Sequence, residues 1–364
     1  MNNIREETVT SLKNQNIQQF TEVQKQCIPD ALEGKDILAQ APTGSGKTLA
    51  YLIPSINDLE PQRKGKHFPK VLILVPTREL ALQVCDTARK LLSNREGIRV
   101  IPLTGGTDIK KQIHSFSKGS DIVVGTPSRI LDHFRRHTFK PKECKKLVLD
   151  EADEMLSMGF EEDVEKIIDL LPSHQTLLFS ATWNQNVKRL AEHILKDPLH
   201  VQIQEETYLK QDIHYFEVIV SEKEKIDVLK KIIPSHKQTL IFTNTRKTAD
   251  YVTDLLVKYH YKAAYIHSEM DYGIRKKNMQ LFRDNKIQIL CATGVAERGI
   301  DIPAVSNVIL YDLPDTKEEL IHRTGRTARH FHKGDAYILV TPKEYESYQL
   351  NRLFKDIQTV RFHK

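Results

Sequence analysis

A short apolar run, a glycine-rich turn and a helical segment stand in succession near the N-terminus and constrain the fold most. Residues 37–39 are apolar, and residues 41–48 read Ala-Pro-Thr-Gly-Ser-Gly-Lys-Thr. Glycines in such a turn let backbone N–H groups point inward around phosphate oxygens, and the following helix adds its positive N-terminal end. The phosphate-binding pattern Gly-x-x-x-x-Gly-Lys-Ser/Thr is matched except at Ala41, which replaces the first glycine. The stretch therefore predicts a nucleotide site directly after a β-strand.

Within this loop, each residue type suits one part of a nucleotide. The Lys47 ammonium can reach the β- and γ-phosphates, and the Thr48 hydroxyl can ligate Mg²⁺. The small residues of the turn leave room for the phosphates, and they are Thr43, Gly44, Ser45 and Gly46. The alternative is a glycine-rich turn that binds nothing.

Length and composition limit the classes of protein to which this chain can belong. The 364 residues are enough for about two domains, and 40% hydrophobic with 28% charged residues is a globular composition. A net charge of +6 permits a polyanionic partner without requiring one. The four cysteines are scattered without metal-binding spacing, and neither a signal peptide nor a long apolar run is apparent. We therefore expect a cytoplasmic monomer with free thiols and no membrane association.

Apolar, β-rich runs alternate with amphipathic helical patterns along the whole chain. The runs have the following bounds: 37–39, 71–75, 98–103, 121–124, 146–149, 176–179, 199–203, 213–220, 239–242, 262–266, 288–291, 307–310 and 336–340. Strands that are apolar throughout and separated by helices indicate parallel sheets covered on both faces. A polar stretch at 203–212 interrupts the alternation. The pattern predicts two α/β domains, 1–205 and 206–364, with the phosphate loop in the first.

Two adjacent acids follow a buried strand of the first domain. Lys146–Leu149 leads into Asp150 and Glu151, which places both carboxylates at the carboxyl end of a parallel strand, where ligands bind. One carboxylate at this place can hold Mg²⁺ through water, and the other can orient or deprotonate an attacking water. Surface acids that cap a helix are the alternative, but the phosphate loop in the same domain favours the catalytic interpretation.

A basic block occupies residues 322–329 of the second domain. Arg326 and Arg329 are three residues apart, so they share one side if the segment is helical. An arginine presented to a γ-phosphate stabilises the charge that develops during transfer and is worth roughly 10³–10⁵ in rate. The alternative is a solvated basic surface. Together with the phosphate loop, the block suggests a site completed on domain closure.

The order of these motifs resembles that of the DEAD-box ATP-dependent RNA helicases over nearly the whole chain. The literal Asp-Glu-Ala-Asp at 150–153 makes the resemblance specific. The other matching segments are Gln24, the loop 41–48, Pro76–Leu80, Gly105-Gly106, Thr126–Arg129, Ser180–Thr182, Ile241–Arg246, Ala292–Asp301 and His322–Arg329. The resemblance implies two tandem RecA-like domains.

The resemblance also implies roles in ATP binding and hydrolysis. Gln24 would read the adenine edge with help from Thr21, Asp150 and Thr48 would hold Mg²⁺, and Glu151 would position water. Gly299 and Asp301 would lie near the ribose and γ-phosphate, and Arg326 and Arg329 would be arginine fingers. Coupling of hydrolysis to strand separation would involve Ser180, Thr182, Asp153 and His322.

By the same resemblance, RNA would be held through its backbone, which carries no base readout. The implied contacts are Pro76, Thr77, Arg78, Gly105, Gly106, Thr126, Pro127, Arg129, Arg275 and Thr293. Six positions depart from the residues usual in the family, and they are Phe20, Ser128, Ser268, Tyr272, Gly294 and Ala328. None of them replaces a residue implied in hydrolysis.

Three functions are compatible with this sequence. The first is an RNA-stimulated ATPase, with ATP and Mg²⁺ as cofactors, that locally unwinds short RNA duplexes or remodels ribonucleoprotein. The second is an ATP-gated RNA clamp or scaffold with little net unwinding. The third is a helicase-like ATPase that acts on DNA. The expected partner is single-stranded or short duplex RNA, with ribonucleoprotein components as further partners.

Overall fold

Two parallel β-sheets form the framework of the chain. This computed structural model describes residues 3–42, 44–61, 68–203, 213–267, 269–293, 305–327, 334–347 and 359–361, with backbone alone at 272, 318, 321, 322 and 359–361. The chain divides into two units, Met1–Glu205 and Glu206–Lys364. Each unit contains one seven-stranded sheet, and every pairing between named strands is parallel.

The first sheet has the spatial order β3-β4-β2-β5-β6-β1-β7. Its strands are β1 (Ile37–Gln40), β2 (Val71–Leu74), β3 (Val100–Leu103), β4 (Ile122–Gly125), β5 (Lys146–Leu149), β6 (Gln175–Ser180) and β7 (Leu199–Gln202). Its helices are α1 (Glu6–Asn14), α2 (Glu22–Leu32), α3 (Lys47–Asn57), α4 (Arg78–Leu91), α5 (Ile109–Phe116), α6 (Pro127–Arg135), α7 (Ala152–Ser157), α8 (Glu161–Asp169) and α9 (Gln185–Ile194).

Strand β2 shows why both faces of this sheet are covered. Val71 and Ile73 pack into one buried apolar cluster together with residues of α2, α3 and α4. Leu72 and Leu74 point the opposite way, into a second cluster with residues of α6, α7, α8 and α9. Successive side chains of a strand alternate between faces, so a strand buried on both sides must be apolar throughout. This explains the uninterrupted apolar runs in the sequence.

The helix that follows the phosphate loop is held at both ends. It begins at Lys47, after Gly46 in the left-handed conformation, and ends at Asn57. At the far end, Lys146 Nζ donates to the carbonyl of Pro54 at 2.6 Å, and the buried Arg95 guanidinium donates to the carbonyl of Ile56 at 2.7 Å. Cations at the C-terminus of a helix satisfy its last carbonyls and complement its dipole. These contacts anchor α3 and thereby the loop at its N-terminus.

The second sheet has the spatial order β10-β11-β9-β12-β13-β8-β14. Its strands are β8 (Ile213–Ile219), β9 (Thr239–Thr243), β10 (Ala263–Ile266), β11 (Ile289–Thr293), β12 (Asn307–Leu310), β13 (Gly334–Val340) and β14 (Thr359–Arg361). The described helices are α10 (Lys225–Ile232), α11 (Arg246–Lys258), α12 (Tyr272–Arg283), α13 (Lys317–Thr324) and α14 (Pro342–Tyr345). Leu240 and Ile241 of β9 enter opposite apolar clusters, as in the first sheet.

The predicted fold class is confirmed, because both sheets are parallel and carry helices on both faces. Two details differ from the sequence-based expectation. The sequence pattern predicts a helix over 343–354, but the helix of the structure ends at Tyr345, and residues 348–358 lie outside the described part of the chain. Strand β14 pairs with β8 although no apolar run predicted it. The polar stretch 203–212 falls outside the described residues from position 204 onward.

Candidate functional site

The carboxyl edge of the first sheet divides into two halves. Strands β5, β6 and β1 are neighbours, and they lead into Asp150, the segment 181–182 and the phosphate loop. Strands β3, β4 and β2 form the other half and lead into Gly105, Thr126 and Pro76. The sheet order thus places the residues predicted to bind ATP on one half of an edge and those of this unit predicted to bind RNA on the other half.

The phosphate loop is closed around its own lysine. Gly44 and Gly46 have φ angles of 84° and 97°, which few residues other than glycine adopt. The buried Lys47 Nζ donates to the carbonyl of Ala41 at 2.6 Å. The Ser45 hydroxyl is also buried and has no hydrogen-bond partner among the described residues. Thr43, the remaining predicted loop residue, lies outside the described residues.

Gln24 is held at both ends of its carboxamide, by Thr21 at one end and by the phosphate loop at the other. Its Oε1 accepts from the backbone N–H of Thr21 at 3.1 Å, and its Nε2 donates to the carbonyl of Gly46 at 3.0 Å. A Cβ at Gly46 would lie 2.4 Å from Gln24 Nε2 and 2.8 Å from Thr21 Oγ1. One Nε2 proton and one Oε1 lone pair remain for an external partner. The structure therefore brings Thr21, Gln24 and the loop together.

Both oxygens of the Asp150 carboxylate have donors. Oδ2 accepts from the hydroxyl of Tyr51 on α3 at 2.8 Å, and Oδ1 accepts from the backbone N–H of Glu151 at 3.0 Å. Glu151 has a φ of 53°, a left-handed conformation that costs a non-glycine residue about 1–2 kcal/mol. This conformation turns the chain sharply between β5 and α7. It keeps both carboxyl groups beside the phosphate loop.

Burial and mutual repulsion govern the protonation of the two acids. Burial raises the pKa of Asp150, while the positive charge of Lys47 opposes this shift. Burial and the charge of Asp150 raise the pKa of Glu151 to about 8. The pKa of Tyr51 is raised well above its usual range by burial and by Asp150, while a hydrogen bond with the Thr48 side chain acts in the opposite direction. Tyr51 is therefore a neutral hydrogen-bond donor at physiological pH.

Thr182 and Asp153 join β6 to α7. The carboxylate Oδ2 of Asp153 accepts from the Thr182 backbone N–H at 2.8 Å and from its hydroxyl at 2.9 Å. The Ser180 hydroxyl donates to the carbonyl of Thr182 at 2.7 Å. The carbonyl of Ser180 in turn accepts from the N–H of Ala41 at 3.0 Å. A continuous set of hydrogen bonds thus links the first turn of α7 to the start of the phosphate loop.

The residues present fit a nucleotide with a divalent cation. A buried ammonium, a helix N-terminus and an orphaned buried hydroxyl at Ser45 suit phosphate oxygens. The Asp150 carboxylate is fixed at both oxygens and keeps lone pairs on each, and oxygen donors of this kind suit Mg²⁺. Among the described residues, no group of three or more His, Cys, Asp or Glu side chains forms a metal site. A cation here would depend on Asp150, Thr48 and the nucleotide.

On the other half of the edge, two arginines are bonded to the glycine loop that follows β3. Arg78 donates to the carbonyl of Gly106 at 3.0 Å, and a Cβ at Gly106 would lie 2.5 Å from the Arg78 guanidinium. Arg129 donates to the carbonyl of Thr107 at 3.1 Å. Thr77 and Thr126 are the N-cap residues of α4 and α6, and Pro127 occupies the first turn of α6. The predicted RNA contacts of the first unit therefore form one surface.

The buried side-chain amide of Gln112 supports that surface from inside the first unit. Gln112 of α5 donates to the carbonyl of Thr104 at 2.8 Å, and its Oε1 accepts from Arg129 at 3.1 Å. His133 Nε2 lies 3.1 Å from the same oxygen, and its Nδ1 lies 2.8 Å from the Thr138 hydroxyl. Because a carboxamide oxygen only accepts, His133 carries its proton on Nε2. Burial and the charge of Arg129 lower the pKa of His133 to about 4, so the ring is neutral.

In the second unit, Arg326 is buried but does not lie on a helix. Helix α13 ends at Thr324, and the Arg326 carbonyl accepts from the N–H of Val305 at 3.1 Å. By sequence, Arg326 and Arg329 share one side only if their segment is helical. That requirement is not met at Arg326, because the chain leaves the helix before this residue and pairs with Val305. Arg329 itself lies outside the described residues.

The segment before Arg326 is held by Arg323, whose side chain is 2% exposed. Its guanidinium donates to Asn244 Oδ1 at 3.0 Å and to Glu319 Oε1 at 2.5 Å. The backbone N–H of Asn244 donates to Asp312 Oδ2 at 2.8 Å. Arg323 thereby ties the end of α13 to the carboxyl ends of β9 and β12.

The structure leaves several predicted site residues without a described environment. Thr293 is buried at the end of β11, and Arg275 is half-buried on α12. The side chain of His322 and the residues Gly299, Asp301, Gly294, Ser268 and Ala328 lie outside the described part of the chain, as does the side chain of Tyr272.

Sequence reasoning missed Tyr51, Gln112 and Arg323. Tyr51 is four residues after Lys47, one helical turn along α3, so its direction toward the nucleotide loop could have been read from spacing. Gln112 gives no such signal, because its partners lie 8, 17 and 21 residues away in sequence. Ser128, which stands where glycine is usual in the family, donates to Asp163 of α8 at 2.7 Å.

Comparisons with protein families and with known sequences agree on the family to which this chain is similar. Residues 21–190 match the family described as DEAD/DEAH box helicase, and residues 224–331 match the family described as Helicase conserved C-terminal domain. The DEAD-box ATP-dependent RNA helicase CshA of Bacillus cereus is 39% identical over 337 residues, which cover 92% of this chain and 63% of that protein. The DEAD-box ATP-dependent RNA helicase RhpA of Helicobacter pylori is 40% identical over 343 residues, covering 93% and 68%.

Solved structures agree with these relatives. S. cerevisiae Dbp5 bound to RNA and ADP BeF3 superimposes with a TM-score of 0.86 at 27% identity, over 99% of this chain and 94% of that chain. A DEAD box protein from Methanococcus jannaschii gives a TM-score of 0.59 at 34% identity, over 99% and 97%. The two sheets are therefore tandem RecA-like domains. The chain belongs to the DEAD-box helicase family, and it spans 63% of the length of the Bacillus relative.

Proposed function

We propose that this chain is the core of an ATP-dependent RNA helicase. In this proposal, RNA stimulates ATP hydrolysis, and hydrolysis is coupled to local, sequence-independent unwinding of short RNA duplexes or to remodelling of ribonucleoprotein. The observation that carries the proposal is the division of one sheet edge into a phosphate-binding half and an arginine-bearing half. Strands β2 and β5 are direct neighbours at the boundary.

On the phosphate half, each residue has a defined task. Lys47 binds the β- and γ-phosphates after exchanging its bond to the Ala41 carbonyl for phosphate oxygens. Gln24 uses its remaining proton and lone pair on the adenine edge. Asp150 and Thr48 hold Mg²⁺. Bound Mg²⁺ would polarise the γ-phosphate and favour the ionised form of the neighbouring carboxyl groups.

Glu151 and Arg326 act on the reaction itself. In its ionised form, Glu151 orients the attacking water and accepts a proton at its carboxylate, for which its raised pKa is suited. Arg326 stabilises the charge that develops on the γ-phosphoryl group. Arg329, Gly299, Asp301 and His322 keep the roles that the family resemblance implies, since the structure does not describe their side chains.

On the arginine half, the contacts are of the phosphate-positioning kind. The recorded bonds of Arg129, to Thr107 and Gln112, use one guanidinium nitrogen, and a guanidinium has five N–H groups in all. Arg78 brings a second guanidinium to the same glycine loop. The exposed Gly105 and Gly106 allow a backbone to approach closely. Arg275 and Thr293 are proposed RNA contacts in the second unit. A preference for RNA sequence is not expected from such contacts.

A strand-separation assay with ATP tests the proposal. A short RNA duplex with a single-stranded extension, the matching DNA duplex and an RNA–DNA hybrid should be compared, with ATP turnover measured on the same samples. Unwinding of RNA alone supports the helicase. ATP-dependent RNA binding without strand separation would replace it by the RNA clamp, and equal activity on DNA would replace it by a DNA-directed ATPase.

Two variants locate the chemistry. Lys47→Ala should abolish ATP turnover, while Lys35→Ala, an exposed lysine of the same unit, should leave it unchanged. Glu151→Gln should bind ATP and RNA but not turn over, so RNA affinity in the presence of ATP should rise. Retained turnover in Lys47→Ala would remove the phosphate-loop assignment.

Cellular context belongs to the same proposal. No helix of the described residues is long and apolar enough to cross a membrane. We propose a cytoplasmic monomer whose partners are RNA and ribonucleoprotein components. Crosslinking to RNA in cells, followed by sequencing of the bound RNA, would identify the targets.

A further inference from the structure

The hydroxyl of Tyr51 contacts Asp150, one of the two residues assigned to Mg²⁺. It donates to Asp150 Oδ2 at 2.8 Å, and Thr48, the other of the two, lies three residues earlier on the same helix α3. The side chain of Tyr51 is fully buried, and its ring meets Phe179 of β6 edge-on with centroids 5.4 Å apart. The hydroxyl is thus held in one place by packing on α3 and β6.

This contact determines which way the Asp150 carboxylate faces. The Glu151 N–H fixes Oδ1 at 3.0 Å, and Tyr51 fixes Oδ2, so rotation of the carboxylate would break at least one bond. The side chain is 3% exposed, and an oxygen that lost its donor here would have little water to replace it. A buried carboxylate in this state would turn toward the nearest positive charge.

That charge is the ammonium of Lys47. Its field already acts on Asp150, although its own hydrogen bond is to the carbonyl of Ala41 at 2.6 Å. A direct ion pair between Lys47 and Asp150 would occupy the two groups that must bind phosphate and Mg²⁺. Tyr51 competes with this pairing by satisfying Oδ2 from the next turn of the same helix α3.

We propose that Tyr51 is a positioning residue for magnesium, acting by holding Asp150 in the orientation in which it can bind the ion and by keeping Asp150 from pairing with Lys47. The inference deepens the proposed function and rests on it. It predicts that the Tyr51 hydroxyl contributes to metal binding and contributes little to nucleotide binding in the absence of metal.

The experiment compares the wild-type protein with Tyr51→Phe, which keeps the ring contact with Phe179 and removes only the hydroxyl. The dissociation constant of ADP is measured by calorimetry in EDTA and again with Mg²⁺. We expect the gain in ADP affinity caused by Mg²⁺ to fall about tenfold, the value of one hydrogen bond to a charged group, while the affinity in EDTA changes less than about twofold. Far-ultraviolet circular dichroism checks the fold.

Tyr215→Phe is the matched control. The Tyr215 hydroxyl is also buried and lies 3.2 Å from the Thr324 hydroxyl, but it belongs to the second unit. Its removal should leave the Mg²⁺-dependent gain unchanged. In an Asp150→Asn background, Tyr51→Phe should have no further effect on that gain, because the two residues act as one unit.

The outcomes distinguish failure of the positioning role of Tyr51 from failure of the helicase proposal. An unchanged Mg²⁺-dependent gain in Tyr51→Phe, or an equal loss in EDTA and in Mg²⁺, would overturn the positioning role and leave the helicase proposal intact. Failure of the wild-type protein to bind ADP under both conditions would overturn both. If Tyr51→Phe does not fold, the wild-type protein can be tested instead by nuclear magnetic resonance. The Tyr51 Cζ resonance of its ADP complex should shift on addition of Mg²⁺, and a constant resonance would overturn the inference.

Discussion

The guanidinium of Arg129 donates to Oε1 of Gln112 at 3.1 Å, and this bond joins a segment predicted to touch RNA to helix α5, which follows the glycine loop. Gln112 also donates to the carbonyl of Thr104, directly before the glycine loop. Arg129 itself reaches the carbonyl of Thr107 on the far side of that loop. One buried carboxamide therefore sets the position of an arginine relative to the loop beside it.

We expect Gln112→Leu to weaken RNA binding about tenfold and to leave ATP binding unchanged. Leucine has a similar volume but cannot hold the Arg129 guanidinium, and a lost bond to a charged group is worth about 1.5–3 kcal/mol. Fluorescence anisotropy with a labelled single-stranded RNA, in the presence of a non-hydrolysable ATP analogue, measures the loss.

Gln112→Glu is the matched variant. It keeps an acceptor for Arg129 but sets an oxygen against the Thr104 carbonyl, so its RNA affinity should fall less than that of Gln112→Leu. Equal losses in the two variants would show that the contact with Thr104, and not the placement of Arg129, is what matters.

Gln24→Glu should raise the KM for ATP and reduce discrimination between ATP and GTP. Glutamate keeps the acceptor for the Thr21 N–H but places a charged oxygen against the Gly46 carbonyl, where Gln24 now donates at 3.0 Å. Leaving that carbonyl facing an acceptor costs about 1–3 kcal/mol, which corresponds to roughly 5- to 150-fold in KM. Steady-state kinetics with both nucleotides measure the effect.

Gln26→Glu on the same helix provides the control, because the Gln26 side chain is exposed and donates to Glu22. It should change neither KM nor the preference for ATP. An unaltered nucleotide preference in Gln24→Glu would contradict the assignment of Gln24 to the adenine edge.

Thr182→Val should separate hydrolysis from unwinding. Valine removes the hydroxyl that donates to Asp153 at 2.9 Å and keeps the backbone bond at 2.8 Å, so the segment after β6 should remain folded. We expect ATP turnover within about threefold of the wild type and strand separation reduced at least tenfold, since only the link between the two is weakened. Loss of both activities in parallel would point instead to damage of the nucleotide site.

Arg326→Ala should reduce kcat far more than ATP affinity. An arginine that stabilises developing charge contributes in the transition state and is worth roughly 10³–10⁵ in rate. Arg326→Lys keeps the charge but not the forked geometry and should fall between alanine and the wild type. Single-turnover kinetics and nucleotide binding distinguish this result from a structural defect, in which kcat and affinity would fall together.

The strand pattern was predictable because both sheets are parallel and buried. The run Lys146–Leu149, for example, is apolar after its first residue and has the bounds that the sequence suggested. Strand β14 was not predictable, because Thr359–Arg361 is short and contains no apolar run. Its position beside β8 depends on tertiary pairing that leaves no local signal.

The site was predictable to the extent that its residues form contiguous motifs. The loop 41–48 and Asp150-Glu151 stand out in sequence, and the structure brings them together at one edge. Tyr51 and Gln112 act through single side chains whose partners are far along the chain, up to 99 residues away for Asp150. Such contacts follow from the packing of α3 and α5 on the sheet, which no motif encodes.

The buried His133 makes the stability of the first unit depend on pH. Burial, followed by the charge of Arg129, lowers its pKa to about 4, against roughly 6.5 in an unfolded chain. Above pH 6.5 the ring is neutral in both states, and its burial costs nothing in proton binding. As the pH falls from 6.5 toward 4, the unfolded chain takes up a proton that the folded protein excludes, so the free energy of unfolding decreases.

We therefore expect the wild-type protein to lose about 2 kcal/mol more of unfolding free energy between pH 7 and pH 5 than His133→Gln does. Glutamine can replace both hydrogen bonds of the ring but does not titrate in this range. Urea unfolding followed by the fluorescence of Trp183, the one tryptophan of the sequence, reports on the first unit. His114→Gln removes an exposed histidine of α5 and should retain the wild-type pH dependence. Equal losses in the wild type and His133→Gln would show that other groups govern the acid sensitivity, because the neutral imidazole would then have no differential proton affinity between the folded and unfolded states.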